Sequence, residues 1–220
     1  MYHQFRLFRG IFFPSYISHQ LRQAETLPGL WIRVCLLILS SCILHFTGAF
    51  YGLGNELFSN ELIHLPSSDF ESRKLLFILG ETTWGLFFAL FILFFSALFF
   101  WSVTDIAYQK LLSVQMYVLL VLLIEKGLYI ILALSIGIDR FSSPFSFGVI
   151  IQYFTSNPLL IILFGSISIF HFWIIYLQYT YLNKLTERSP KFLLLIIVGL
   201  NVFLLIISTL LYYIRIEKLI

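Results

Sequence analysis

The chain has 220 residues, of which 60% are hydrophobic and 11% are charged, and its formal net charge is +3. A soluble domain is closer to half apolar and a quarter charged, so this chain has too little polar surface to coat a globule. Its apolar stretches approach the roughly 20 residues that a helix needs to cross a bilayer. The composition therefore predicts an all-α integral membrane protein and excludes a soluble domain.

The alternating strands of a membrane barrel are not seen in the sequence. The basic residues lie near the ends of the apolar stretches, which does not indicate a nucleic-acid surface.

The first segment, residues 1–29, combines basic and aromatic side chains. Within "YHQFRLFRGIFF", one broad helical face carries the apolar residues Phe5, Leu7, Phe8, Ile11 and Phe12. The opposite face carries Arg6 and Arg9. This pattern is typical of an amphipathic helix that lies in the membrane interface. We expect both arginines to contact lipid headgroups, and Pro14 to end the helix.

The second segment, residues 30–220, predicts a bundle of about five transmembrane helices. The expected spans are 30–51, 82–103, 111–136, 158–181 and 192–214. Lys and Arg are concentrated in the N-terminal segment and in the turn before the last span, whereas the first loop is acidic. Because Lys and Arg favour the cytoplasmic side, we expect a cytoplasmic N-terminus and an extracytoplasmic C-terminus.

Two cysteines, Cys35 and Cys42, lie on the first predicted span. Their separation along one helix is too great for a disulfide, so we interpret them as small buried hydrophobic residues. Lipidation of Cys42 is the alternative, because "LSSC" resembles a lipoprotein cleavage box. The segment before Cys42 is too long for a signal peptide, and apolar sequence continues after it.

The sequence contains none of the common metal-site, nucleotide-binding or zinc-protease motifs, so we expect no metal, no cofactor and no enzymatic activity. Ser168 and His171 share a helical face in the fourth predicted span. A serine protease would also need oxyanion donors, and small residues in a span are more typical of close helix packing. We interpret His171 as a buried histidine with a hydrogen-bond partner, with a metal or proton role as the alternative.

An adjacent acid and base, Glu125 and Lys126, interrupt the apolar run of the third predicted span. A charge at mid-bilayer costs about 2.5 to 3.5 kcal/mol on insertion scales, so we expect both to face protein or water. Helical neighbours point about 100° apart and need partners elsewhere. The candidate partners are Glu81, Arg33, His171 and Tyr129. Three interpretations stay open: a structural bridge, a broken helix beside a water-filled dip, or a substrate or ion site.

Three stretches of the chain resemble the Yip-domain membrane proteins, a family named for its interaction with Ypt/Rab GTPases. The opening "LFRGIFFPSYISHQLRQAETLPGLWIRVCLLILSSCIL" is similar to the bacterial, YknW-like branch. "SSPFSFGVIIQYFTSNPLLIILFGSISIFHFWIIYLQ" resembles the family's fourth span, and "TERSPKFLLLIIVGL" its turn into the last span. The chain departs from the family after the second span, where "TDIAYQK" replaces a pair of glycines.

The resemblance implies five spans, a cytoplasmic N-terminus and no catalytic activity. Eukaryotic relatives act in Golgi vesicle traffic, and bacterial relatives accompany an ABC-type exporter that protects against toxic peptides. The short N-terminal segment favours the bacterial type. We therefore expect an accessory protein of a bacterial cell membrane that binds other integral membrane proteins, with self-association left open. The alternatives are a small transporter or channel that uses Glu125 and Lys126, and a vesicle-traffic factor that binds small GTPases.

Overall fold

The computed structural model describes residues 7–54, 67–138 and 143–214. These ranges contain the helices α1 (Leu7–Phe12), α2 (Pro14–Gln23), α3 (Leu30–Phe50), α4 (Ser67–Leu90), α5 (Ser96–Val103), α6 (Tyr108–Ile136), α7 (Gly148–Gln152), α8 (Pro158–Gly165), α9 (Ile169–Leu185) and α10 (Pro190–Ile214). A π-helical segment, Phe91–Phe95, joins α4 to α5. The predicted all-α class is confirmed.

Four helical segments are long and apolar enough to cross a membrane. They are Leu30–Phe50, Phe70–Val103, Tyr108–Ile136 and Pro190–Leu211. The chain is therefore an integral membrane protein. The second segment has 34 residues and begins well before the predicted start at 82. At about 1.5 Å per residue, this helix is longer than the roughly 30 Å thickness of the hydrocarbon core. It begins early because the charged sequence "ESRK" continues the helix instead of ending it.

The fourth predicted span, 158–181, is two helices instead of one. The eight residues of α8 end at Gly165, and the 17 residues of α9 begin at Ile169. Between them the chain forms an isolated antiparallel bridge from Ser168 to Ser146. Hydropathy alone could not locate this break, because both halves are apolar.

The N-terminal half of α6 is the axis of the bundle. Helices α1, α3, α5 and α9 all pack against α6, and every residue from 111 to 119 is buried. A helix buried on all sides loses its amphipathic pattern, which is why this run carries apolar residues on every face. The second half of α6, which contains the acid–base pair, is only partly covered.

Ion pairs gather three segments at one end of the bundle. Arg22 at the end of α2 pairs with Glu187 at 3.4 Å, and Arg188 pairs with Asp105 at 3.3 Å. Lys110 donates to the carbonyl of Arg22 at 2.8 Å. The end of α2, the turn before α6 and the turn after α9 therefore meet at this end, which we call the polar end.

Candidate functional sites

The break between α8 and α9 holds the serine and histidine that the sequence singles out. Ser168 Oγ lies 2.9 Å from His171 Nδ1. The Ser168 backbone N–H donates to the same Nδ1 at 3.3 Å, and the serine side chain in turn accepts from the His171 backbone N–H. This is a capping box in which histidine takes the place of the usual Glu or Gln at the third helical position.

The extended backbone of the break is satisfied by hydrogen bonds within the protein. The N–H of Ile169 donates to the Phe145 carbonyl, and the N–H of Phe147 donates to the Ile167 carbonyl, both at 3.0 Å. The N–H groups of Ser166 and Ile167 donate back into α8. Non-helical backbone at membrane depth is tolerated when protein groups satisfy it, so the bridge to the 145–147 segment is what allows the helix to break.

Ser168 and His171 are therefore positioned as helix-capping residues. Ser168 is only 2% exposed, and its oxygen already serves the first turn of α9. His171 Nδ1 accepts a backbone hydrogen bond, which requires the neutral ring with its proton on Nε2. His171 is half-buried and hydrogen-bonded to Ser168. A serine three residues before a polar side chain, ahead of an apolar run, is the sequence signal for such a cap.

An interior chain of amides, which we call the amide ladder, links three helices. Gln178 Nε2 on α9 donates to Gln115 Oε1 on α6 at 3.3 Å. Asn201 Nδ2 on α10 donates to Gln178 Oε1 at 2.7 Å, and also to the Ile197 carbonyl at 2.9 Å. Because a carbonyl can only accept, the bond to Ile197 fixes the direction of the ladder.

The amide ladder ends in an unsatisfied donor. Gln115 Nε2 is buried and has no hydrogen-bond acceptor within the described residues. Gln115 and Gln178 are 0% and 2% exposed, so the ladder is an internal clamp between helices and not an open site. The amide ladder was not predicted from the sequence. Its only signal is a single amide in each of three apolar runs: "SVQMY", "YLQYT" and "GLNVF".

The N-terminal helix α1 is docked on two stacked tyrosines. Tyr117 of α6 and Tyr181 of α9 stack with ring centroids 5.0 Å apart. Tyr181 donates from its hydroxyl to the Gly10 carbonyl at 2.9 Å. A Cβ at Gly10 would overlap the Tyr117 ring, so glycine is the residue that permits this close approach. Ile11 is buried beside it.

Docking of α1 on the bundle buries only part of the apolar face that the sequence predicts for this helix. Ile11 points into the bundle, whereas Phe8 and Phe12 are 67% and 65% exposed. The contact through Gly10 and Ile11 is narrow, so the larger aromatic rings fall outside it. Arg9 is exposed, as expected of a residue on the polar face, and Arg6 lies outside the described residues.

A histidine that the sequence analysis did not single out is packed between α3 and α4. His45 is 4% exposed, and its Nδ1 lies 2.9 Å from the Ser41 carbonyl. Ser41 donates to the Gly85 carbonyl at 2.8 Å. A Cβ at Gly85 would approach the His45 ring to 2.7 Å, so Gly85 makes room for the imidazole.

The intramembrane acid–base pair is half-buried on α6. Glu125 and Lys126 both take part in interactions, and the adjacent Gly127 faces Leu44 of α3. Two of the candidate partners have other contacts: Arg33 donates to the Pro28 carbonyl at 3.0 Å, and His171 caps α9.

The third candidate partner, Glu81, is half-buried on α4. It lies three residues after the buried Ile78 and four before Gly85, so it shares the helix face that packs on α3.

Comparison of the chain with protein-family models, with curated proteins and with solved structures found no match. The resemblance to the Yip-domain proteins therefore stays a prediction.

Proposed function

We propose that the chain is a non-enzymatic accessory protein of a bacterial cell membrane. In this proposal it binds and assists another membrane complex, with an ABC-type exporter that removes toxic peptides as the first candidate. Its N-terminus is cytoplasmic and its C-terminus extracytoplasmic. The resemblance to the bacterial Yip-domain branch supports the choice of partner.

The use of the buried polar side chains supports a structural role for the bundle. Ser168 and His171 cap a helix, Ser41 bonds a neighbouring helix, and the amide ladder joins three helices. Each of these bonds stabilises the packing of the protein itself. The groups that remain available for recognition are on the outside.

The observation that carries the proposal is the exposed tip between α7 and α8. Tyr153 and Phe154 are 86% and 81% exposed, more than any other large apolar side chain among the described residues. The helices α7 and α8 on either side of this tip form a helical hairpin. The β-bridge from Ser146 to Ser168 joins the hairpin to the start of α9. The end of α9 lies at the polar end, so the hairpin meets the bundle at the opposite end. Two adjacent exposed aromatic residues are typical of protein recognition surfaces.

The experiment is co-purification from membranes of cells that naturally express the chain. The tagged wild type, a Tyr153→Ala/Phe154→Ala variant and a Phe203→Ala control are compared by quantitative mass spectrometry. Phe203 is an exposed aromatic residue on α10, a different helix from the two of the hairpin. Exporter subunits should accompany the wild type and the control, and should fall about tenfold with the hairpin variant. Recovery of only the chain itself or of a small GTPase would contradict the proposal.

A transporter or channel that uses Glu125 and Lys126 is the second candidate, because broken helices line the substrate sites of many transporters. Here the break is at Ser166–Ser168, and its N–H groups are occupied by the protein. The Glu125→Gln and Lys126→Met variants separate the candidates. A structural pair predicts a lower folded yield for each variant, and less than additive loss for both together. A transport site predicts normal yield with loss of function.

A further inference from the structure

A groove on the outer side of α1 and α2 has the composition of a headgroup site. It has a volume of about 420 Å³ and is lined by Arg9, Phe13, Tyr16 and Ile17. The non-helical Phe13 separates α1 from α2, but helical hydrogen bonds continue across it: the Phe13 N–H donates to the Arg9 carbonyl at 2.8 Å and the Ile17 N–H to the Phe13 carbonyl at 3.2 Å. Among them Ile17 is buried, whereas Phe13 and Tyr16 are exposed.

Among the described residues, no carboxylate pairs with the charge in the groove. In the parts of the chain that the structure describes, Arg22 and Arg188 pair with carboxylates, whereas Arg9 forms no such pair. Arg9 is exposed, and Tyr16 also lines the groove. A guanidinium can bind a phosphate through two parallel hydrogen bonds, and a phenol can donate a further one. The site therefore fits a phosphodiester anion.

The position of the groove selects a lipid as the source of that phosphate. Gly10 accepts a hydrogen bond from Tyr181, which lies one turn from the end of α9 at the polar end. Aromatic residues with exposed rings flank Arg9, namely Phe8, Phe12, Phe13 and Tyr16. Aromatic rings with a basic residue are the usual composition at the boundary between headgroups and acyl chains.

We propose that the groove formed by Arg9, Phe13, Tyr16 and Ile17 binds the headgroup phosphate of an anionic phospholipid. Arg9 is the cation that binds the phosphate, and the exposed aromatic rings contact the glycerol and upper acyl chains. Because α1 is already held on Tyr117 and Tyr181, the site is preformed and does not require the helix to fold on the membrane. The site does not depend on the identity of any protein partner.

Native mass spectrometry of the full chain in detergent tests the proposal. The probes are dioleoylphosphatidylglycerol, dioleoylphosphatidylcholine and inorganic phosphate. The variants are Arg9→Gln and Arg9→Lys, with Arg22→Gln as the control because Arg22 is an exposed arginine already paired with Glu187. Size-exclusion chromatography and circular dichroism establish that each variant is folded.

The wild type should bind one phosphatidylglycerol about tenfold more tightly than phosphatidylcholine, the size expected for a charge-assisted hydrogen bond. Arg9→Gln should lose this preference, Arg9→Lys should keep part of it, and Arg22→Gln should match the wild type. Equal binding of the two lipids by the wild type would by itself overturn the proposal. So would an unchanged preference in Arg9→Gln, an equal loss in Arg22→Gln, or displacement of the lipid by an equal concentration of phosphate.

Discussion

At the scale of single residues, two glycines set how closely the segments of this bundle approach each other. Gly10 lies against the ring of Tyr117, and Gly85 lies against the ring of His45. In both places a methyl group would occupy the volume of an aromatic or imidazole ring. Small residues have this role in many membrane helix contacts, but here the partner is a large flat side chain instead of another backbone.

The Gly10→Val variant should release α1 from the bundle. The new side chain would overlap Tyr117, and the hydrogen bond from Tyr181 to the Gly10 carbonyl would be lost. Overpacking of this kind costs about 1–3 kcal/mol, so thermal unfolding in detergent should occur at a lower temperature. The control is Gly80→Ala, since a Cβ there meets nothing within 4 Å. If both variants unfold at the same temperature, α1 is not held at Gly10.

The contribution of the amide ladder to stability can be tested by replacing its glutamines. In Gln178→Leu, Gln115 loses the donor to its Oε1, and Asn201 loses one acceptor. Interhelical hydrogen bonds in membranes contribute about 0.6–2 kcal/mol each, so the variant should be destabilised by about that amount. The Gln115→Leu/Gln178→Leu double variant should recover stability, because it also removes the unsatisfied Gln115 Nε2. Strictly additive losses in the double variant would show that the two glutamines are not coupled.

At the scale of elements, the unit formed by α8, the break and α9 is the least regular part of the membrane domain. The 17 residues of α9, with Ser168 in extended backbone before them, reach about 29 Å. That length is close to a hydrocarbon core of roughly 30 Å, so α8 need contribute little to a crossing. The hairpin of α7 and α8 is then an attachment at the end of the bundle opposite the polar end.

The cap of α9 can be tested with a conservative replacement. His171→Gln keeps an acceptor at the third helical position, where glutamine is common in capping boxes. It should retain most of the stability, whereas His171→Ala should lose about 1 kcal/mol. Thermal unfolding in detergent measures both. A His171→Gln variant as unstable as His171→Ala would show that the ring has a role other than capping.

The sequence predicts the long helices well and the interior contacts poorly, for a physical reason. Hydropathy reports burial in lipid or protein, so the apolar runs around α3, α6 and α10 can be located by composition alone. The break at Ser166–Ser168 depends on hydrogen bonds to Phe145 and Phe147, which local propensity does not encode. The contact of Gly10 with Tyr117 likewise joins residues on different helices and has no periodic signal.

At the scale of the whole molecule, the ion pairs bring three segments together at the polar end. The N-terminal helix pair and the turns after α5 and α9 meet there through Arg22, Lys110 and Arg188. A chain with five crossings places these three segments on one side of the membrane. The hairpin of α7 and α8 then belongs to the other side, although α9 is preceded by a break.

Cysteine labelling of intact cells measures this arrangement directly. Thr186→Cys and Tyr153→Cys are introduced separately into a chain in which Cys35 and Cys42 are replaced by alanine, and a membrane-impermeant maleimide is added. Tyr153→Cys should be labelled in intact cells, and Thr186→Cys should be labelled only after the membrane is permeabilised. Labelling of both positions from the same side would contradict a crossing by α9, and with it the five-span bundle.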